Sequence, residues 1–286
     1  MATTQLDKIL AFRAMHSAKT ILVLPNAWDV ATARLVEHAG AAAIATTSAG
    51  VAWSLGAADG DQLDRDRVLD LTARVAAAVD VPVTADIENG YAPDPEGVAD
   101  TIRGVLAAGA AGVNLEDAYH HDEPSPLRPT HEQVARITVA RHAADAAQMP
   151  LFINARIDTY LRSAGDPSTR LRDTISRAAA YVLAGADGIF VPGVTDPATI
   201  STLAQSIAAP LNVMAGLGAP PVAELAALGV ARVSLGPAIA LAAYALAQRS
   251  ARELLATGTY TALVDALDYS QLNALLHRPA NSITTG

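Results

Sequence analysis

Cysteine is missing from all 286 residues, which excludes disulfides, thiolate metal sites and a cysteine nucleophile. A basic excess is missing too: 20 Lys and Arg stand against 29 Asp and Glu, a formal net charge of −9. That balance argues against non-specific binding to nucleic acid or to an anionic membrane surface. No run approaches the roughly 18 uninterrupted apolar residues of a membrane span. AIALAAYALA (238–247) gives way to Gln248, Arg249 and Ser250. The opening MATTQLDKILAFRAMHS mixes acidic and basic residues without a continuous apolar core, so it does not read as a secretory signal. Linker-like Pro/Gly/Ser segments and low-complexity tracts are also lacking. The expectation is one cytoplasmic domain over 1–286, and 51% hydrophobic with 17% charged residues can bury a sizeable core.

Short β-prone runs alternate with helical patterns along nearly the whole chain. Strand candidates lie at 21–27, 42–48, 81–88, 112–118, 150–158, 188–194, 210–216 and 231–237. Segments apolar at i, i+3 or i+4 follow them, at 30–40, 65–79, 95–109, 130–148, 169–185, 197–208, 221–230 and 238–258. Several stop at a glycine: Gly40, Gly109, Gly185 and Gly229. Eight strand–helix units, with no GxGxxG turn of an open doubly wound sheet, predict an α/β fold of the (β/α)8 TIM-barrel type. Its core would span about 20–250. An extra N-terminal helix (about 4–18) would cap the barrel floor, and a helical C-terminal extension (about 251–286) would lie beyond the eighth unit. His16, His38, His131, His142 and His277 fall on helices or the tail and read as surface groups.

Chemistry in such a barrel sits at the C-terminal ends of the strands. VPVTADIENGYAPDP (81–95) runs a β-prone stretch straight into Asp86 and Glu88. Residues i and i+2 of a strand share a face, so the two carboxylates should project together, with something positive beside them. The other strand ends supply Thr47, Ser48, Ala49 and Gly50, then Asn114, Glu116 and Asp117, then Asn154, Arg156 and Asp158, and finally Asn212 and Ser234. The loop after the second strand adds Asp59 and Asp61. A rim of carboxylates without cysteine suits a hard cation, Mg²⁺ or Mn²⁺. Arg156, the one strand-borne arginine of that rim, can grip a substrate carboxylate with its planar fork. It can equally pair with Asp158 or Glu116.

TSAGVAWSLGAADGD, PVTADIENGYA, GVNLEDA, FINARIDTYL and GADGIFVPGV together resemble the isocitrate lyase / phosphoenolpyruvate mutase superfamily, over about residues 20–245. The resemblance implies a (β/α)8 barrel, commonly a homotetramer with the eighth helix swapped between subunits. It also implies chemistry next to a 2-oxo acid through a Mg²⁺-bound, pyruvate-type enolate. On that resemblance Asp86 and Glu88 match the metal-binding pair, and Asp59 matches a loop aspartate near metal and substrate. Thr47, Ser48 and Ala49, with Gly50 after them, match the segment that holds the substrate carboxylate. Glu116 matches a glutamate in the metal's outer shell, and Arg156 the arginine that contacts substrate and leaving group.

The pattern breaks at AYHHDEPSPLRP (118–129), where lyases of the superfamily carry a Lys-x-Cys-Gly-His lid. Lysine and cysteine are both missing there, which leaves His120, His121, Asp122 and Glu123. His121 is the candidate general acid or base, against the plainer reading of a solvated polar loop. Pro192 stands where lyases carry glutamate and the phosphoenolpyruvate mutases histidine. The expected function is a Mg²⁺-dependent lyase that cleaves a C–C bond, decarboxylation included, in a small 2-hydroxy or 2-oxo (di)carboxylic acid. The alternatives are a C–P enzyme of the phosphonopyruvate hydrolase or phosphoenolpyruvate mutase kind, and a non-catalytic dicarboxylate-binding barrel.

Overall fold

A computed structural model describes residues 3–17, 19–119 and 125–277. The chain opens with α1 (Gln5–Met15), started by a capping box in which Thr4 and Asp7 bond each other's backbone amides. Then come β1 (Leu22–Leu24), β2 (Asn26–Ala27), α2 (Val30–His38), β3 (Ile44–Thr46), α3 (Ser48–Ser54) and α4 (Arg65–Ala78). The middle of the chain is β4 (Val83–Asp86), α5 (Pro95–Ala107), β5 (Gly112–Glu116), α6 (Thr130–Ala146), β6 (Phe152–Arg156) and α7 (Arg170–Leu183). It closes with β7 (Gly188–Val191), α8 (Pro197–Ser206), β8 (Leu211–Met214), α9 (Val222–Ala227), β9 (Arg232–Ser234), α10 (Ala238–Thr257) and α11 (Tyr269–Leu276).

All eight expected strands are present, and every pairing is parallel. The first is split in two at Pro25, which has no N–H to donate to a ladder. β1 pairs with β9 and β2 pairs with β3, so the two halves of one strand close a (β/α)8 barrel. Local chemistry sets the helix starts. Asp29, Asp94 and Asp196 each accept a backbone N–H of the first turn, and Pro95 and Pro197 open their helices where no N–H is needed. Gly109 and Gly185 follow the ends of α5 and α7 with φ of +86° and +108°, a region costly for any side chain.

The N-terminal helix does plug the barrel floor. Ile9 and Phe12 of α1 are fully buried, and Phe12 meets Phe152 of β6 edge-on with ring centroids 5.6 Å apart. A Cβ on Gly112 would sit 2.8 Å from the Phe12 ring, so β5 needs a glycine there. His16 corrects the surface expectation. It is 5% exposed, its ring stacks on Phe152 at 3.8 Å, and its Nδ1 lies 2.8 Å from the Phe12 carbonyl oxygen. Burial, reinforced by the nearby Arg232 charge, pushes its pKa down to about 3, so the imidazole is neutral. His38, His131, His142 and His277 are exposed, as expected.

Two departures bear on function. The segment after β3 is not a loop but the short helix α3. Its Gly50 presses on Trp28, where a Cβ would lie 2.8 Å from the Trp28 Cβ. The other is α10, which buries only Ala240 although its sequence is amphipathic. Leu241, Tyr244, Leu246, Leu254 and Leu255 remain exposed along it. On the barrel's outer wall, Val23 of β1 is 40% exposed beside an apolar groove of about 470 Å³ lined by Met15, Ile21 and Val36. Among the described residues no helix is long and apolar enough to cross a membrane.

Candidate active site

The C-terminal ends of the strands enclose a cavity of about 160 Å³. Its polar wall is Asn26, Thr47, Ser48, Asp59, Asp86, Asn114, Arg156 and Ser234, and its apolar wall includes Leu161, Phe190, Pro192 and Met214. Five parallel strands therefore deliver polar groups to one small space, which is how this fold builds sites.

Asp86 is the last residue of β4 and is almost fully buried. Its backbone N–H donates to Thr46 Oγ1 at 2.8 Å, which fixes the strand end. Among the described residues its carboxylate accepts two long bonds, from the Ser48 amide at 3.3 Å and the Glu88 amide at 3.4 Å. Burial raises its pKa to about 6; Arg156 opposes the rise, and Glu116 and Asp59 add to it. A buried carboxylate held this loosely, in a cavity wall, has lone pairs left for a cation or a ligand.

Glu88 does not project with Asp86, contrary to the strand-face expectation. β4 ends at Asp86, and Glu88 already sits in the left-handed region at φ +49°, so the two-residue alternation no longer applies. Its carboxylate is not part of the cavity wall. Oε2 accepts the Asp61 amide at 2.6 Å and Oε1 accepts the Tyr91 hydroxyl at 2.8 Å. Burial raises the Glu88 pKa to about 8, with the Asp61 amide opposing and the Asp61 charge adding. Asp61 also bonds Asn89, so this loop is a tied polar unit beside the site.

Arg156 turns out to be both a structural partner and a cavity residue. It faces Glu116 across the β5–β6 ladder, and its Nη1 lies 2.6 Å from Glu116 Oε2. Nε and Nη2 grip Asp158 in a fork at 2.6 and 2.8 Å. A guanidinium has five N–H donors, so it keeps donors beyond these three bonds while lining the cavity. The two carboxylates hold its pKa well above the ordinary arginine value against the cost of burial. Asp59, Thr47, Ser48 and Ala49 line the cavity as their sequence positions suggest. The Ser48 amide, however, is directed at Asp86.

Besides Glu88, three expected site residues do not line the cavity among the described residues: Glu116, which bonds Arg156, Gly50 and Asn212. Gly50 is packed under Trp28. Asn212 lies lower in the barrel, with Nδ2 donating to the Val213 and Arg232 carbonyls and to Ser234 Oγ. His121, with His120, Asp122 and Glu123, lies outside the described residues. Trp53 meets Tyr244 edge-on at 6.1 Å and is not part of the cavity wall. Asn26, at the end of the first strand, lines the cavity as a strand-end residue should; its Nδ2 donates to the Thr46 carbonyl and its Oδ1 accepts the Leu235 amide, tying the split first strand to its neighbours.

Asp86 and Asp59 give the cavity hard oxygen donors of the kind Mg²⁺ takes. Among the described residues no three His, Asp or Glu side chains converge into a cage. Mg²⁺ does not require one, because it is commonly bound through one or two carboxylates with waters and substrate oxygens. The donor set fits the ion, with Asp86 as the carboxylate placed to meet it and Glu88 set back behind the Asp61 loop.

The sequence pattern of the phosphoenolpyruvate phosphomutase family matches residues 12–255. The chain belongs to this family. A protein of Burkholderia cenocepacia J2315, solved as a candidate lyase or mutase, is 42% identical and superimposes with a TM-score of 0.89 over 97% of this chain and 98% of that one. An uncharacterised protein of Mycobacterium tuberculosis H37Rv is 36% identical over 278 residues, 96% of this chain and 100% of its own. The 2-methylisocitrate lyase of Escherichia coli K12 is 29% identical over 269 residues, 90% of this chain and 88% of that enzyme. The family and its superfamily relatives include carbon–carbon lyases and phosphomutases, so the resemblance read from the strand-end motifs holds at the level of an enzyme of this type.

Proposed function

We propose that this protein is a Mg²⁺-dependent lyase that breaks a C–C bond, decarboxylation included, in a small 2-oxo or 2-hydroxy (di)carboxylic acid through a pyruvate-type enolate. The observation that carries the proposal is the cavity itself. About 160 Å³ is well below the ~300–1,000 Å³ of sites for larger ligands. It sets the buried carboxylate of Asp86 and the exposed one of Asp59 against the largely buried Arg156. An acid of a few carbons fits; a nucleotide does not.

In this reading Arg156 binds a substrate carboxylate with the N–H groups that Glu116 and Asp158 leave over. Those two acids hold the guanidinium rigid, so little side-chain entropy is lost on binding. Thr47 and Ser48 supply hydroxyls on the opposite wall. Phe190, Pro192 and Met214 exclude water, which strengthens each polar contact. Mg²⁺ or Mn²⁺, when bound, supplies positive charge where the enolate develops its negative charge. Release of CO₂ needs no proton donor at the leaving group, so this branch of the chemistry asks nothing of a lid cysteine. Among the described residues Arg156 is the one cation in the cavity wall, which suits a carboxylate better than a phosphonate dianion.

The test is a turnover screen with Mg²⁺ over 2-oxo and 2-hydroxy acids, oxaloacetate among them, followed by NMR. A pyruvate-type product that disappears on chelation is the expected result. Phosphate released from phosphonopyruvate, or phosphonopyruvate formed from phosphoenolpyruvate, would move the assignment to the C–P enzymes. No turnover of any acid would overturn it.

The proposal extends to a homo-oligomer, a tetramer in the form the family resemblance implies. An amphipathic α10 that buries one residue, and an uncovered groove beside Val23, call for a second copy of the chain. Sedimentation equilibrium should give four times the monomer mass; a monomer at micromolar concentration would refute it.

A further inference from the structure

Beneath the cavity the barrel interior holds a polar cluster that the proposed chemistry does not use. Arg232, on β9, is fully buried, with its guanidinium carbon 5.9 Å from the Phe12 ring centroid on the barrel floor. Its Nη2 donates to Asn114 Oδ1 at 3.3 Å, while Nε and Nη1 have no hydrogen-bond partner among the described residues. Burial lowers its pKa to about 9 and the Asp86 charge raises it, so the group stays cationic near neutrality. From the other side, Asn154 Nδ2 donates to the same Asn114 Oδ1 at 2.9 Å and to Asn212 Oδ1 at 3.1 Å.

The chemistry of these groups removes an ambiguity. A guanidinium has donors and no acceptor, so the Asn114 atom that meets Arg232 must be the oxygen. The side-chain amide, whose two ends are otherwise interchangeable, is thereby locked in one orientation. Its Nδ2 donates to none of the described residues and is left for the cavity that Asn114 helps to line.

We infer that Arg232 is a positioning residue: together with Asn154 it fixes Asn114 so that the Asn114 amide donates a hydrogen bond to a carboxylate or enolate oxygen of the bound acid. This rests on reading the cavity as a site for a small carboxylic acid. It adds to that reading a specificity element, a neutral donor on the wall between Asp86 and Arg156 that accepts an anionic oxygen and rejects a donor group in its place. A lone buried arginine is a costly way to fill a barrel floor. Orienting the amide gives that charge a task.

The probe is oxalate, a planar mimic of a pyruvate enolate, titrated calorimetrically in excess Mg²⁺. Asn114→Asp keeps an oxygen toward Arg232 and puts a second oxygen where the donor was. Its oxalate affinity should fall about a hundredfold while its unfolding midpoint does not drop, since the new carboxylate pairs with Arg232. Arg232→Met removes the lock and should weaken oxalate about five- to tenfold with Asn114 present, and not at all in an Asn114→Ala background. A purely structural role for Arg232 would cost the same in both backgrounds and would overturn the positioning role. Wild-type affinity in Asn114→Asp would overturn the donor. A wild-type protein that binds no oxalate would overturn the acid-site reading itself, and this inference with it.

Discussion

Asp86→Ala should abolish Mg²⁺-dependent oxalate binding and lower kcat by about 10³-fold or more, the scale of losing charge stabilisation at a developing oxyanion. Asp86 is the buried carboxylate at the end of β4, open to the cavity and held, among the described residues, by two long amide bonds. The fold itself should survive, because removing an incompletely satisfied buried charge relieves a desolvation cost. Glu88→Gln makes the informative contrast. Its carboxylate is committed to the Asp61 amide and the Tyr91 hydroxyl, and it acts through the loop. A weakening of about 10–100-fold is expected, the usual cost of disturbing a supporting contact. Calorimetry with Mg²⁺ and oxalate on both variants decides the ranking. Equal, complete losses would mean that both carboxylates hold the ion, and that Glu88 leaves Asp61 to do so.

Much of this site was legible as pattern. Strand-end carboxylates such as Asp86, the loop aspartate Asp59 and the arginine on the sixth barrel segment follow from counting strands and reading their C-terminal ends. What pattern could not reach was the turn of a single residue. The face of Glu88 depends on where β4 stops, and that stop is held by contacts with Asp61 and Tyr91, one of them 27 positions upstream. Barrel strands buried on both faces also do not say which side chains point inward. Arg232 therefore reads as an unremarkable strand polar group, and Asn212 as a strand-end site residue, until the register sets them across β8 and β9. His16 lies one residue past the end of α1 and was sorted with surface helix positions; its burial is made by Phe152, far along the chain. The periodicity of α10 reports that a face wants covering and is silent on what covers it.

The two interior arginines make the sharpest stability prediction, because one is largely and the other fully buried and they are paired differently. Arg156→Met deprives Glu116 and Asp158, 1% and 0% exposed, of their common cation and leaves Asp158 with Arg162 at 3.8 Å. Breaking a buried pair from one side costs about 3–5 kcal/mol, and for a chain of this size each kcal/mol moves Tm by roughly 2–4 °C. A drop of about 10 °C is expected, with a matching fall in the urea midpoint. Arg232→Met removes a cation that no carboxylate touches among the described residues, and should leave Tm level or raise it. Arg156→Lys keeps the charge and loses the fork on Asp158, so it should recover part of the stability and little of the activity. If Arg156→Met melts with the wild type, the Glu116–Arg156–Asp158 cluster contributes nothing net to the fold. Its conformation would then be maintained by the strands alone, and the activity lost with Arg156 would measure ligand contact without a structural share.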